Sequence, residues 1–430
     1  MEVIIKEIKS EQELKEIDFS SIKFVRTGAS EEHLSFYTLS NGKIIIYTEN
    51  GVLSTKEKAK FFMELEEKCK LARYYLGLGH SLKMQYKYYK PFNESYMASG
   101  CSYAATKNII IDLLTKEVEQ VKNRTKESVV KSVILGHAVG DAFGLPVEFE
   151  EREKLIKQPV TKMGKPPYLN LPIGSWSDDT SMSLCALKSL SKGKIDYEDI
   201  MQNFCKWYSD GEFTPTGYTF GVGLICEDAI QRYYKGTSPT KCGGTGEYDN
   251  GNGSLMRINP FVLYLYYKDM PIEKKINIIH KASSLTHAHK RSQIGCGIYA
   301  FVLWSVLNNP TKEGLIKGLI DAAKFYKDEP ELNNYATVFD AVLSLKKEDV
   351  KSSGYVVDTL EAAIWCLANT GSYSECVKTA VNLGGDTDTI AAVCGGVAGA
   401  MYGIDEEGWL SLLVKKDEIE KMCSEFASVL

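Results

Sequence analysis

Two short acidic motifs carry the side chains best suited to chemistry in this chain. Residues 177–180 read Ser-Asp-Asp-Thr, and residues 386–389 read Asp-Thr-Asp-Thr. Carboxylates and hydroxyls are the oxygen ligands that Mg²⁺ and Mn²⁺ prefer, and two such ions roughly 3.5 to 4 Å apart can orient a substrate and activate water. If the motifs meet in space, they predict metal-assisted hydrolysis.

Helix capping offers a simpler explanation for the same residues. Ser or Asp at an N-cap, followed by Asp in the first turn, satisfies free amides and complements the positive end of the helix dipole. Asp386 and Asp388, however, are two positions apart and do not share a face inside a regular helix. They converge only where a loop becomes a helix, so we expect both motifs at such junctions.

Composition narrows the class of protein. The 430 residues are 44% hydrophobic and 25% charged, which allows an ordinary core, and the net charge of −5 offers no basic excess for generic nucleic-acid binding. Eleven cysteines without a Cys-x-x-Cys pair fit a reducing, cytoplasmic location. We expect no signal peptide, because the first ten residues have no long apolar core and no small-residue cleavage site. We expect no membrane partner, because the longest apolar stretch, residues 390–404, is shorter than the roughly twenty residues that span a bilayer.

Residues 1–124 are expected to form a small α+β domain of unknown role. Two β-prone runs flank Asn41 and Gly42, and Asn-Gly favours the type I′ turn of a hairpin. A capping box from Ser54 to Glu57 then predicts a helix. We place the domain boundary at residues 124 and 125.

Residues 125–430 are expected to form an all-α domain, because apolar residues recur there at helical spacing with few β-rich runs between them. The glycine-rich stretch 391–403 should lie at the domain centre, where small residues let helices approach closely. Helical patterns open at Thr180, Tyr197, Phe220, Ser254, Ile272, Arg291, Lys312, Leu360 and Glu375.

Five segments of this domain occur in the order seen in ADP-ribosylglycohydrolases. They are residues 136–149, 174–180, 251–257, 286–287 and 382–389. The chain resembles that family, including the dinitrogenase reductase-activating glycohydrolases, over about residues 125–430. The resemblance does not extend to residues 1–124.

The resemblance implies an all-α fold with two Mg²⁺ or Mn²⁺ ions that cleaves the bond between C1″ of ADP-ribose and the acceptor side chain of an ADP-ribosylated protein. It implies Glu148, Asp178 and Asp388 as catalytic residues, with Glu148 as a base, an orienting group or a gate. The family commonly has Thr at position 177. The implied metal ligands are Ser177, Asp178, Asp179, Asp386, Asp388 and Thr389.

The substrate side of the site is also implied by the resemblance. Asn252, Gly253 and Ser254 would contact ADP-ribose, with their amides at a helix N-terminus facing the diphosphate. Asp249 matches an acid of arginine-directed members, although it could equally be a turn residue. His287 would contact substrate rather than act as a general acid.

Other polar residues nearby are expected to have structural roles. We expect Arg257 to brace the site through buried carboxylates. His137, His289, Cys185 and Cys394 should be structural.

Two other functions compete with hydrolysis of ADP-ribose bonds. Asp386-x-Asp388 resembles the D-x-D-x-T nucleophile motif of haloacid-dehalogenase phosphatases, but Ile390 stands where that motif has Thr. The alternative without turnover is a catalytically weak ADP-ribose-binding or immunity protein whose N-terminal domain blocks an ADP-ribosyltransferase toxin. Target protein, acceptor type, choice of metal and oligomeric state are not encoded in these patterns.

Overall fold

The computed structural model of the protein describes residues 124–430, apart from 168–169, 342–344 and 406, together with four short strands nearer the N-terminus. The chain divides into two compact units, Met1–Asn123 and Arg124–Leu430.

The described part of the first unit is a four-stranded sheet with the order β1-β4-β3-β2. Its strands are β1 (Val3–Ile5), β2 (Ile22–Thr27), β3 (Leu34–Leu39) and β4 (Ile44–Thr48). β1 is parallel to β4, and the other two pairs are antiparallel. β3 and β4 are the predicted hairpin strands, in register from Leu34↔Thr48 to Thr38↔Ile44. Asn41, Gly42 and the helix expected after Ser54 lie outside the described residues, so the α+β class of this unit stays a prediction.

The second unit is helical, as predicted for residues 125–430. Its helices are α1 (Lys126–Gly144), α2 (Arg152–Lys157), α3 (Asp178–Leu190), α4 (Tyr197–Asp210), α5 (Leu224–Tyr234), α6 (Asn259–Tyr266), α7 (Ile272–Ser283), α8 (Lys290–Asn308), α9 (Lys312–Phe325), α10 (Val356–Asn369), α11 (Tyr373–Val381), α12 (Thr387–Tyr402), α13 (Glu407–Leu412) and α14 (Lys416–Ala427). Short 3₁₀ or π segments cover Leu145–Val147, Pro239–Lys241, Pro330–Tyr335, Thr337–Ala341 and Lys347–Asp349.

Most predicted helix starts agree with the structure, and two helices begin four or five residues later than predicted. α4, α7 and α9 begin at the predicted residue, and α3, α8, α10 and α11 begin within four residues of it. The helix expected at Phe220 begins at Leu224, because Gly221 has φ +70° and interrupts the helical backbone. The helix expected at Ser254 begins only at Asn259, since residues 252–257 form a separate turn and Pro260 favours the first helical turn.

The centre of the second unit is the packing of α1 against α12, which confirms the placement predicted for the glycine-rich stretch. Gly136, Gly140 and Gly144 recur every four residues and so share one face of α1. A Cβ on Gly140 would lie 2.2 Å from the carbonyl oxygen of Ala391, and one on Gly144 would lie 2.5 Å from Cα of Asp388. Glycine at these positions therefore lets α1 reach the start of α12, where the second acidic motif lies.

α1 owes its apolar character to this central position. The stretch Lys126–Val147 is long and apolar enough to cross a membrane by length and hydropathy, yet 83% of its most apolar window is buried inside the fold. Those properties are typical of a core helix.

Candidate functional site

The two acidic motifs lie at the starts of two helices, as the spacing of their residues predicts. Ser177 is the N-cap of α3, with Asp178 and Asp179 in the first turn. Asp386 is the N-cap of α12, with Asp388 in its first turn. None of these five residues is more than 8% exposed. Such burial is unusual for carboxylates at helix ends, which capping alone would leave in solvent.

Direct contacts bring the two motifs together. Asp179 Oδ2 accepts a hydrogen bond from Ser177 Oγ at 3.2 Å and another from Thr389 Oγ1 at 3.3 Å. The Thr387 hydroxyl donates to the carbonyl of Gly144 at 2.9 Å, which fixes the start of α12 on the end of α1. Asp179 is therefore the point where the motifs meet.

Capping explains only one of the two motifs. The Ser177 hydroxyl accepts from the Asp179 amide at 3.3 Å, so it caps α3. The Asp386 side chain makes no capping bond to α12. Its Oδ2 instead accepts from Asn252 Nδ2 at 2.8 Å. Asp386 is thus oriented by a residue from another segment, as a ligand would be.

Asp141 is a buried acid of the site that the sequence reasoning missed. Its Oδ1 accepts from the Ser177 amide at 2.9 Å, and its Oδ2 accepts from the Thr180 amide at 3.0 Å and the Thr180 hydroxyl at 2.6 Å. Burial raises the pKa of Asp141 to about 6, although these bonds favour its charged form. Asp141 is the one acid in the apolar stretch of α1 that follows Lys131, and this was the signal that could have revealed it.

The remaining acids repel one another electrostatically. Burial, followed by neighbouring carboxylates, raises the pKa values of Asp178, Asp179 and Asp388 well above their usual range. Glu148 contributes to the rise at all three, and after burial it is the largest cause at Asp388. The predicted catalytic acids therefore share one electrostatic environment.

The acids are suitable ligands for hard cations, but they do not form a complete coordination site. Asp179 Oδ1 is buried and has no hydrogen-bond partner, so one oxygen of a central carboxylate needs a positively charged or donating partner. In the helical part that the structure describes, no group of three or more His, Cys, Asp or Glu side chains is closed around one point as an ion site. The carboxylates interact at a distance, and the donor set suits Mg²⁺ or Mn²⁺.

Glu148 lies on a loop that is fastened to the second motif. It follows the 3₁₀ turn Leu145–Val147, and the next residue, Phe149, has φ +62° and is 71% exposed. The Phe149 amide donates to the carbonyl of Gly385 at 2.7 Å, and the Gly385 amide donates to the carbonyl of Glu150 at 3.0 Å. This pair of bonds positions Glu148 beside the start of α12.

The predicted substrate-binding segment is a turn, so the expected placement of its amides at a helix N-terminus is wrong. Asn252 holds Asp386 and also donates to Thr359 Oγ1 at 3.0 Å. Ser254 does not cap a helix; its hydroxyl is fully buried and lies 2.9 Å from Ser283 Oγ. Gly253 lies against His287, because a Cβ there would be 2.8 Å from the ring carbon Cε1.

Asp249 has the turn role that was one of its two predicted roles. Its Oδ2 accepts from the Gly246 amide at 2.7 Å, and its own amide donates to the carbonyl of Gly246 at 3.0 Å. It lies on the loop that pairs with His287 through Gly244, so it remains near the proposed substrate side.

His287 is buried, and its Nδ1 lies 2.9 Å from Thr286 Oγ1. Burial, and then the charge of Arg257, lowers the pKa of His287 to about 3. The ring is therefore neutral near pH 7 and not an acid of the usual histidine kind, which agrees with a contact role. His289 caps α8 through the Arg291 amide at 3.2 Å.

The interaction predicted for Arg257 is wrong. Its Nη2 donates to the carbonyl of Ala282 at 3.1 Å and to Thr286 Oγ1 at 2.8 Å, and none of the ion pairs between described residues includes it. No carboxylate pairs with the buried guanidinium among the described residues. A cation–π contact stabilises it instead, with Arg257 Cζ 4.9 Å from the ring centroid of Phe204.

The other residues expected to be structural are buried among the helices. His137 Nδ1 lies 3.1 Å from the carbonyl oxygen of Ala392, which joins α1 to α12. Cys185 and Cys394 are buried free thiols whose pKa values are raised by burial. Burial outweighs the opposing charge of Arg257 at Cys185, and neither raised pKa favours a nucleophilic thiolate.

Comparison with known proteins gives a consistent result. The family model described as ADP-ribosylglycohydrolase matches residues 122–430. The ADP-ribosylarginine hydrolase Tri1 of Serratia proteamaculans (strain 568) is 30% identical over 307 residues, which cover 69% of this chain and 78% of that protein. The ADP-ribosyl-[dinitrogen reductase] glycohydrolase of Rhodospirillum rubrum is 30% identical over 295 residues, covering 66% of this chain and 90% of that protein.

A solved structure described as an ADP-ribosylglycohydrolase-related protein complex has the same fold. It aligns with a TM-score of 0.60 and 30% identity, covering 71% of this chain and 98% of that chain. The motifs, the helical fold and these relatives together confirm the resemblance seen in the sequence. The chain belongs to the ADP-ribosylglycohydrolase family and is an enzyme of that class.

Proposed function

We propose that this enzyme uses divalent metal ions to hydrolyse the bond between ADP-ribose and a modified protein side chain, reversing mono-ADP-ribosylation. The observation that carries the proposal is the meeting of two distant acidic motifs at Asp179, a buried carboxylate with one oxygen unpartnered. Buried acids with raised pKa values need compensating positive charge to remain ionised.

The proposed ligands are the hydroxyl and carboxylate oxygens of the two motifs. Two Mg²⁺ or Mn²⁺ ions bound there would supply charge stabilisation and lower the pKa of water. The residues that would hold them are Ser177, Asp178, Asp179, Asp386, Asp388 and Thr389. Asn252 would keep Asp386 in its orientation through the 2.8 Å bond to Oδ2.

The protein's other side chains have separate proposed roles. Glu148, on a partly exposed loop next to the acids, would accept the proton of the attacking water. His287 and the turn containing Asn252, Gly253 and Ser254 would contact ADP-ribose, with Ser254 contributing through its backbone because its hydroxyl faces the core.

Arginine is the proposed acceptor. Two relatives are named ADP-ribosylarginine hydrolases, and Asp249, on the loop that pairs with His287 through Gly244, offers a carboxylate that could pair with a guanidinium leaving group. All nine cysteines in the described helical unit are free and buried, which supports the proposed cytoplasmic location.

The test compares substrates and metals directly. Purified protein is incubated with arginine- and serine-ADP-ribosylated substrates, with EDTA or with Mg²⁺ or Mn²⁺, and free ADP-ribose is measured. We expect release from the arginine substrate only with metal, and none from Asp388→Ala, which should also bind Mn²⁺ more weakly while remaining folded. Full activity of Asp388→Ala in EDTA would exclude the proposed site.

The same assay addresses the alternative of a weak ADP-ribose-binding or immunity protein. That protein would bind ADP-ribose without turnover and would hold an ADP-ribosyltransferase toxin through residues 1–124. Pull-down of a toxin by the full chain, and its loss on deletion of those residues, would support that role beside the hydrolase.

A further inference from the structure

Arg257 is a fully buried cation whose hydrogen bonds are incomplete. Its Nη2 donates to Thr286 Oγ1 at 2.8 Å and to the carbonyl of Ala282, whereas Nε and Nη1 have no partner. Burying a guanidinium in this way is costly, because each lost water contact must be replaced. Such a residue is expected to have a role in the site that offsets its cost.

Thr286 connects Arg257 to the proposed substrate contact. A guanidinium can only donate, so Thr286 Oγ1 must accept from it, and the hydroxyl proton points elsewhere. His287 Nδ1 lies 2.9 Å from the same oxygen. The competing acceptor, Cys226 Sγ, is a thiol at neutral pH, since burial raises the pKa of Cys226 to about 12, and sulfur accepts hydrogen bonds weakly.

We propose that Arg257 acts through the Thr286 hydroxyl to hold His287 in the tautomer with an unprotonated Nδ1 and a proton on Nε2. Arg257 and Thr286 are then positioning residues, and His287 is the group that contacts the substrate. Without the hydrogen bond that Arg257 donates to Thr286 Oγ1, the Thr286 hydroxyl could rotate, and the His287 ring could exchange between its two tautomers.

The surroundings of the ring support this assignment. The backbone of His287 is fixed by its amide, which donates to the carbonyl of Ser283 at 2.8 Å, and by its carbonyl, which accepts from Ser283 Oγ at 2.8 Å. Burial and the charge of Arg257 keep the imidazole neutral, so only one nitrogen carries a proton. The relay, which is the chain of hydrogen bonds from Arg257 through Thr286 to His287, decides which nitrogen carries the proton.

The proton on Nε2 faces the glycine turn. A Cβ on Gly251 or on Gly253 would lie 3.4 Å from Nε2, so glycine at both positions leaves this nitrogen uncovered by side chains. An uncovered N–H suits an acceptor oxygen of the ligand, such as a diphosphate or ribose oxygen. The contact between His287 Nε2–H and a ligand oxygen rests on the proposed function, whereas the assignment of the tautomer does not.

The tautomer is measured by long-range ¹H–¹⁵N NMR on full-length protein labelled with ¹⁵N-histidine, without substrate or divalent ions. The chain has six histidines, and His287→Asn identifies the signals of His287 by their disappearance. We expect an unprotonated Nδ1 and a protonated Nε2 in the wild type, averaged shifts in Thr286→Val, and wild-type shifts in Thr286→Ser. Arg257→Met should also show averaged shifts.

Three results would overturn the proposal: a protonated Nδ1 in the wild type, unchanged shifts in Thr286→Val, or unchanged shifts in Arg257→Met. The wild-type spectrum decides the central question even if a variant does not fold. As a second readout, Thr286→Val should raise KM for the ADP-ribosylated substrate about tenfold with a smaller change in kcat, and Thr286→Ser should restore it. An inactive wild type with the expected tautomer would reject the proposed function and leave the relay standing.

Discussion

Ser177 shows how one side chain serves both local structure and the site. Its hydroxyl caps α3 by accepting from the Asp179 amide, and it donates to the Asp179 carboxylate at 3.2 Å. The cap stabilises the helix that carries two of the proposed metal ligands. A hydroxyl is required for both roles, but the extra methyl group of Thr is not excluded by either.

The hydroxyl of Ser177 can be tested by two substitutions. Ser177→Ala removes the cap and an oxygen ligand, so we expect a loss of about 1 kcal/mol in unfolding free energy and weaker Mn²⁺ binding. Ser177→Thr should retain both properties within a small factor. Denaturant unfolding and calorimetric Mn²⁺ titration measure the two effects, and equal Mn²⁺ affinity in the Ala and Thr variants would contradict the ligand role.

The pH dependence of stability should reveal His280. Burial lowers its pKa from 6.5 to about 4, and its Nε2 lies 2.7 Å from the Tyr326 hydroxyl. The unfolded chain therefore binds a proton between pH 6.5 and 4 that the folded chain does not, so stability falls as pH falls through this window, by at most about 3 kcal/mol. His280→Gln should flatten that slope when unfolding is measured across the window; an identical slope would contradict the assignment.

At this scale the sequence predicted the acids that occur in compact motifs and missed those that depend on tertiary contacts. Ser177 and Asp386 could be assigned to helix starts because capping chemistry is local. The roles of Asp141 and Asn252 could not, because their partners, Ser177 and Asp386, belong to other segments of the chain. Arg257 was misjudged for the same reason.

Among the helices, the contact of α1 with α12 decides the geometry of the site. The glycine face of α1 allows backbone contact with α12, which places Gly144 against Asp388. A larger side chain on this face would push the second motif away from the first. The site is therefore sensitive to changes in α1 that touch none of its acids.

Gly140 tests this sensitivity. Its new Cβ in Gly140→Ala would lie 2.2 Å from the backbone of Ala391, so the helices must separate, and we expect about 3 kcal/mol of destabilisation with loss of activity. Gly408→Ala in α13 is the matched control, because nothing lies within 4 Å of its added Cβ and Ala favours the helix. Thermal melts and the ADP-ribose assay compare the two, and a wild-type melt for Gly140→Ala would contradict the packing.

Periodicity predicted that these helices exist and failed where glycine controls the backbone. α4, α7 and α9 begin as predicted because Asp196, Pro271 and Thr311 precede ordinary amphipathic patterns. The turn at 252–257 resembles a helix start in sequence, yet its backbone bonds close a single turn on the carbonyl of Asn252. Whether this segment forms a turn or a helix is therefore decided by its tertiary contacts to α7 and to the start of α12.

For the whole molecule, the division into two units predicts that the second can be studied alone. The family match begins at residue 122, and Arg124 donates to the carbonyl of Ala400, so the unit contains its own N-terminal anchor. We expect residues 122–430 to fold cooperatively and to release ADP-ribose within a few-fold of the rate of the full chain. A single melting transition and the same assay test this, and an unfolded fragment would show that the first unit is required.

The acids of the site are supplied by two stretches that are far apart along the chain, residues 141–179 and residues 386–389. While the protein is being synthesised, a ribosome-bound chain that has not yet exposed α12 presents only the first of them. Such a nascent chain lacks Asp386 and Asp388, even if the helices before α12 have already folded. If these acids are the catalytic set proposed above, hydrolysis begins only late in translation, once the second stretch has left the exit tunnel.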